Sequence, residues 1–253
     1  MDGKHQGDGM DHGNSNLYAR TRLAAGLFAA LALAGCETSQ IVARDSHVAL
    51  PSVRIAAGLD EDRSAPAEPR SGRAIEFSLT RAKGSGEQRL EAGRSPVILN
   101  NVSFPAPDQL RHDFDISYAD LSFRWRKFFN DSMFGLELSG GIGYTSTGLS
   151  VHSDTQDTSD RFQSYGGQGG VGLIVRMRPS TSLHARMSGF ASGDGVGIGD
   201  MQRYELFLAQ GLGDNLSLRA GYAEWEVNGD SGVSSSRFQL KFAGPTLQLG
   251  MDF

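Results

Sequence analysis

Phe134-Gly-Leu-Glu-Leu-Ser-Gly-Gly-Ile-Gly-Tyr144-Thr145 is the stretch on which the fold turns. Phe134, Leu136, Leu138, Ile142 and Tyr144 share one parity, while Gly135, Glu137, Ser139, Gly141, Gly143 and Thr145 share the other. A period of two marks a strand with one apolar and one polar face. The same alternation recurs over 75–83, 114–126, 164–177, 182–193, 202–212, 215–227 and 237–253, which makes eight segments. Strands of soluble proteins average about 5–6 residues, whereas a membrane-crossing strand needs about 9–11, and most of these segments reach that length.

The connections alternate in length as well. Residues 127–132, 178–181 and 211–215 are short links, whereas 84–113, 146–163, 194–201 and 228–236 are longer and polar. Outer-membrane barrels combine short periplasmic turns, long external loops and an even strand number. The pattern predicts an all-β fold: an eight-stranded antiparallel up-and-down transmembrane β-barrel over 74–253, with both barrel ends on the periplasmic side.

A soluble barrel would show the same alternation with its faces exchanged, so two further features carry the choice. Tyr144, Tyr165, Tyr204 and Tyr222 all fall on the apolar face toward the long-loop ends, with Trp125, Phe134 and Phe253 toward the opposite ends. Such sorting predicts aromatic girdles at two membrane interfaces. The chain also holds 33 Gly, about twice the usual share. Gly135, Gly141, Gly143, Gly166, Gly170, Gly172 and Gly221 lie on the polar parity, as a narrow eight-stranded lumen requires.

Composition excludes other classes. There is no Gly-X-Y repeat, and no apolar run reaches the roughly 18 residues of a membrane helix. A net charge of -5 without a Lys/Arg cluster argues against nucleic-acid binding. The single cysteine excludes a disulfide framework or a Cys-rich metal site, and no cofactor is expected.

Arg20 and Arg22 precede the apolar run 23–35, which has the form of an export signal, and Cys36 follows directly. Leu33-Ala34-Gly35-Cys36 resembles the lipobox of bacterial lipoproteins, which implies cleavage before Cys36 and its acylation; Ala30-Leu31-Ala32 and Ala32-Leu33-Ala34 are competing ordinary cleavage sites. Residues 1–35 are read as the signal with an upstream extension. Residues 36–73, rich in Ala, Ser, Pro and charge, are read as a flexible periplasmic tether with room for a short helix over 53–59.

Leu247-Gln-Leu249-Gly-Met251-Asp-Phe253 resembles the closing strand of outer-membrane barrels. With the architecture, it places 75–253 beside small barrels such as the outer-membrane protein A transmembrane domain and the OmpX-like proteins. That resemblance implies recognition of Phe253 by the barrel-assembly machinery and contact with outer-membrane lipids. Near Ala243-Gly244-Pro245 the apolar parity slips, and a β-bulge is expected there.

The polar parity carries Glu76, Asp120, Arg124, Glu137, Arg176, Arg186, Arg203, Glu205 and Arg219. Inside a narrow lumen these charges should pair and fill the interior, since isolated charges are costly to desolvate. The expected role is therefore structural or surface-interacting, with a narrow pore for small solutes as the alternative. A lipid A-modifying enzyme is the third reading, but His184 and Ser188 lie on the inward parity, and His152-Ser153 lies in a polar loop, so no catalytic set is assigned. Asp154, Asp157 and Asp160 read as a solvated loop and 193–200 as a Gly-rich connection rather than a phosphate loop. The first long loop, with Val97-Ile-Leu-Asn-Asn-Val-Ser-Phe104, is the candidate surface for an external ligand.

Overall fold

The computed structural model describes residues 40–45, 48–60, 71–129, 133–193, 197–230 and 237–253, with backbone only for 44 and 45. Cys36 and the signal lie outside them. The described chain is all-β: β1 (Gln40–Asp45), β2 (Leu50–Gly58), β3 (Gly72–Leu90), β4 (Val97–Leu99), β5 (Val102–Phe104), β6 (Asp108–Phe128), β7 (Phe134–His152), β8 (Asp157–Arg178), β9 (Thr181–Ser192), β10 (Gly197–Gly211), β11 (Leu216–Asp230) and β12 (Arg237–Asp252).

All eight alternating segments are strands of one antiparallel meander, β3-β6-β7-β8-β9-β10-β11-β12. The eight-stranded closed ring expected from sequence is nevertheless incorrect. Closure runs through a ninth strand, because β2 pairs antiparallel with β3 and parallel with β12. Residues 40–45 and 50–58 are thus wall rather than tether, and 53–59 is no helix. Val53 and Ile55 face outward while Arg54 and Ala56 are buried, the same period-two pattern over a shorter length.

An odd strand count also moves one end of the chain. Gln40 is in register with Arg237, at the long-loop end, and Phe253 finishes beside Ala56 at the short-turn end. The expectation that both ends lie on the short-turn side fails for the described N-terminal end.

No register shift interrupts the β11–β12 ladder at residues 243–245, so β12 has no bulge there. The shift is in the pairing on the other side: Asp45 is in register with Phe242 and Leu50 with Thr246, a change of one residue between β1 and β2. Val48 N–H bonds to the Ala243 carbonyl at 3.1 Å. A Cβ on Gly244 would run into the Val48 backbone, so close approach dictates glycine.

Strand length is the last departure. Much of 146–163 is strand, leaving only 153–156 to join β7 to β8. The 21 residues of β6 extend about 70 Å at about 3.3 Å each, or about 50 Å of height at a tilt near 40°. That is about twice the apolar band of a membrane barrel.

Candidate functional site: a barrel with two opposite interiors

On β6 the inward residues are Leu110, His112, Phe114, Ile116 and Tyr118, followed by Asp120, Ser122, Arg124 and Arg126, all buried. The outward parity runs the other way: Gln109, Arg111, Asp113, Asp115 and Ser117, then Ala119, Leu121, Phe123 and Trp125. Polarity exchanges faces between Tyr118 and Ala119 with no break in register to β3 or β7. On β12 the same exchange puts Phe238, Leu240 and Phe242 inside and Leu247, Leu249 and Met251 outside. This exchange, not a bulge, is the slip seen in the sequence.

The half toward the short turns is apolar outside. Tyr165, Tyr204 and Tyr222 are exposed near its upper margin, with Tyr144 packed on Tyr165 at a ring separation of 4.8 Å. Phe134, Phe253 and half-buried Trp125 occupy the other margin. Beyond the tyrosines the outer wall is charged. Arg81 donates to Asp115 at 2.9 and 2.6 Å and Lys241 lies 2.6 Å from Glu224. The Arg81 hydrogen bonds hold the Asp115 carboxyl below its ordinary value.

Inside the lower half, the charges foreseen from sequence meet, joined by three that were missed. Arg124 lies 2.5 Å from Glu76, Arg126 lies 2.5 Å from Glu137, and Arg54 lies 3.1 Å from both Glu76 and Asp252. Arg186 stands 3.8 Å from Glu76 and 3.7 Å from Glu137. Asp120 accepts from Ser78. Arg203, Arg219 and Arg176 instead stack on Tyr118, Phe207 and Phe128, at 4.6, 5.1 and 4.0 Å from the ring centres. Arg203 and Glu205 line an interior cavity with Arg186 and Arg219. Arg54 and Asp252 escaped the sequence reading because a tether has no inward face and the end of β12 was read for its aromatic. Their alternation with Val53, Ile55, Met251 and Phe253 was the available signal.

The upper half has an apolar, largely aromatic core in place of a polar lumen. Trp225 meets Tyr118 edge to face at 6.0 Å and Phe242 at 5.6 Å; Phe162 stacks on Phe238 at 5.7 Å. A small hairpin caps it, as β4 and β5 turn through Asn100 and Asn101, both with positive φ (47° and 62°). Val97, Leu99 and Phe104 point into the core, so the apolar side chains of the first loop are a lid and not an exposed contact surface. Gln156 donates to the Ser103 carbonyl at 2.6 Å and Asn100 to that of Ser159 at 3.3 Å, fastening the lid to β7–β8.

Where β1 parts from β3, a side chain replaces the ladder. Gln88 Oε1 accepts from Val42 N–H at 3.0 Å, and its Nε2 donates to the Gln40 carbonyl at 3.1 Å. His112 Nε2 lies 3.2 Å from the same Oε1, and burial pushes its imidazole pKa down to about 4.

The polar residues weighed for chemistry are spread apart. His184 stacks on Phe207 at 4.8 Å and contacts Ser182 Oγ at 2.8 Å, whereas Ser188 accepts from Arg203. His152 lies between Asp113 and Asp157, 3.4 Å from each, on the exposed wall. No metal-binding cluster occurs among the described residues. Comparison with models of known families, with curated proteins and with solved structures finds no match for this chain.

Proposed function

We propose that this chain is a bacterial outer-membrane β-barrel protein with a structural or surface-interaction role, embedded by its lower half and standing above the membrane by its upper half. The polarity exchange at Tyr118/Ala119 carries the reading. A barrel wholly in water would keep its apolar side chains inward throughout, since exposing a wall of leucine and phenylalanine is unfavourable. A wall that is apolar outside over half its height, and charged outside over the rest, suits a lipid band below an aqueous phase above. Outer-membrane lipids are then its immediate partners, the short turns face the periplasm, and the lidded end is external.

The interior supports a plugged barrel over an open pore. Ion pairs fill the lower half, while side chains and a lid fill the upper. Phe253, outward at the short-turn rim, suits the role of assembly signal. Because β1 starts at the long-loop end, an acylated Cys36 would stand four residues before an external strand start rather than at a periplasmic tether. Membrane fractionation with heat-modifiable gel migration tests the whole reading; recovery of the protein in the soluble periplasm would overturn it. Planar-bilayer recording tests the plug, which a large stable open conductance would contradict. Palmitate labelling with and without Cys36→Ser tests the anchor.

A further inference from the structure

Six arginines point into the lower half against five carboxylates among the described residues: Arg54, Arg124, Arg126, Arg186, Arg203 and Arg219 face Glu76, Asp120, Glu137, Glu205 and Asp252, while Arg176 lies over Phe128 near the short turns. An excess buried cation is costly unless something neutralises it. The deficit is sharpest at Arg203. Its side chain is buried, its Nε donates to Ser188 at 3.0 Å, and its plane lies over Tyr118 and Trp225. Arg203 has no carboxylate within ion-pair distance among the described residues, and Asp120 is a carboxylate in electrostatic range of it. Glu76 and Glu137 are already engaged by Arg54, Arg124 and Arg126, so Arg186 is their distant partner at 3.7–3.8 Å.

Arg186 and Arg203 border an interior cavity of about 20 Å³. Arg186, Arg203 and Arg219 line it with the hydroxyls of Ser52 and Thr80, and Glu205 is the one carboxylate in its wall. Three guanidiniums line the cavity against one carboxylate in its wall, with Glu76 and Glu137 beside Arg186, and hydroxyl hydrogens can turn toward a negative guest. About 10–15 Å³ is enough for one water-sized species, so the space suits a monatomic ion and is too small for phosphate or sulfate.

We infer that this cavity is a binding site for a monatomic anion of the halide class, held by Arg203 with Arg186 and Arg219. The site lies in the barrel interior and does not depend on which membrane surrounds the wall. Bound anion stabilises the folded chain by mass action, in proportion to the logarithm of its concentration once above its dissociation constant.

The test is thermal unfolding of the full chain folded in detergent micelles, in sodium chloride against sodium gluconate at equal ionic strength. Each tenfold rise in chloride should raise the midpoint by about 3–5 °C while gluconate and sulfate do not. Arg203→Gln should abolish the chloride effect and Glu205→Gln should enlarge it, since the carboxylate opposes the anion. Equal midpoints in chloride and gluconate, or a chloride effect fully retained in Arg203→Gln, would overturn the inference. If Arg203→Gln does not fold, iodide quenching in Trp125→Phe protein decides, because Trp225 lies beside Arg203 and is then the only tryptophan. Saturable quenching supports the site, and quenching strictly linear in iodide contradicts it.

Discussion

Arg54 and Asp252, 198 residues apart in sequence, meet at 3.1 Å inside the barrel, across the seam where β2 runs parallel to β12. The same guanidinium bonds Glu76 on β3 at 3.1 Å, so one side chain ties the closing strand to both neighbours. Its side chain is fully buried, which makes the pairing sensitive to loss of either partner.

Removing one member of a buried ion pair strands the other and typically costs about 3–5 kcal/mol. Arg54→Met should lower the thermal midpoint strongly and weaken heat-modifiable migration. Arg54→Met combined with Asp252→Asn should recover part of the loss. Unfolding of the two single variants and the double variant in detergent micelles gives the coupling directly, and strictly additive losses would count against the seam.

The two halves should answer differently to the same truncation. Phe242 is buried in the upper core, so Phe242→Ala should cost about 3–5 kcal/mol. Leu247, five residues on and exposed, has no packed interior to lose, and Leu247→Ala should cost far less in micelles. Denaturant unfolding of both variants checks the order.

Charge placed on the outer wall should report the height of the lipid. Leu138→Arg, inside the apolar band, should cost about 2–4 kcal/mol in folding into lipid vesicles, falling toward zero near an interface. Ser146→Arg, beyond Tyr144 on the same parity, should be close to neutral. Equal effects at both sites would argue against a band that ends at the tyrosines.

His112 supplies a pH dependence. Its folded pKa, about 4, is depressed below the unfolded value near 6.5, so between these values the unfolded chain binds more protons. The contribution is therefore fully present above pH 6.5 and is lost as pH falls toward 4, with a slope of at most about 1.4 kcal/mol per pH unit. His112→Gln should flatten that part of the stability profile, measured by thermal midpoint from pH 4 to 7.

At the strand β1 edge, Gln88→Ala removes the acceptor of the Val42 amide. Amide exchange at Val42 should speed up in this variant while that of Leu240, on β12, changes little. Unchanged protection at Val42 would mean that Gln88 does not hold the edge.

Period-two alternation was enough to locate every strand of the meander, because each keeps one apolar parity along a good part of its length. It missed the closing strand since β1 and β2 are short, at six and nine residues, and Pro51 and the charges nearby read as linker. Long polar connections were over-read for a related reason: Ser146, Gly148 and Ser150 are polar because they face water, while Thr147, Leu149 and Val151 are buried inside. The glycines are partly explained. At Gly143 a Cβ would lie 2.9 Å from the Tyr118 hydroxyl and the Phe190 ring, whereas at Gly167 it would meet nothing, and nothing in the structure requires glycine there. Lumen charges were legible one parity at a time, but their partners depended on how the ring closes, which short-range pattern does not encode.

The most direct test of a half-embedded barrel is a nitroxide scan of the outward positions of β7 in lipid vesicles, in a Cys36→Ser background. Labels at 136, 138, 140 and 142 should be reached by oxygen and shielded from an aqueous nickel chelate, and labels at 146, 148 and 150 should show the reverse, with the crossover at Tyr144. Uniform access of the nickel chelate along the whole strand would contradict the account.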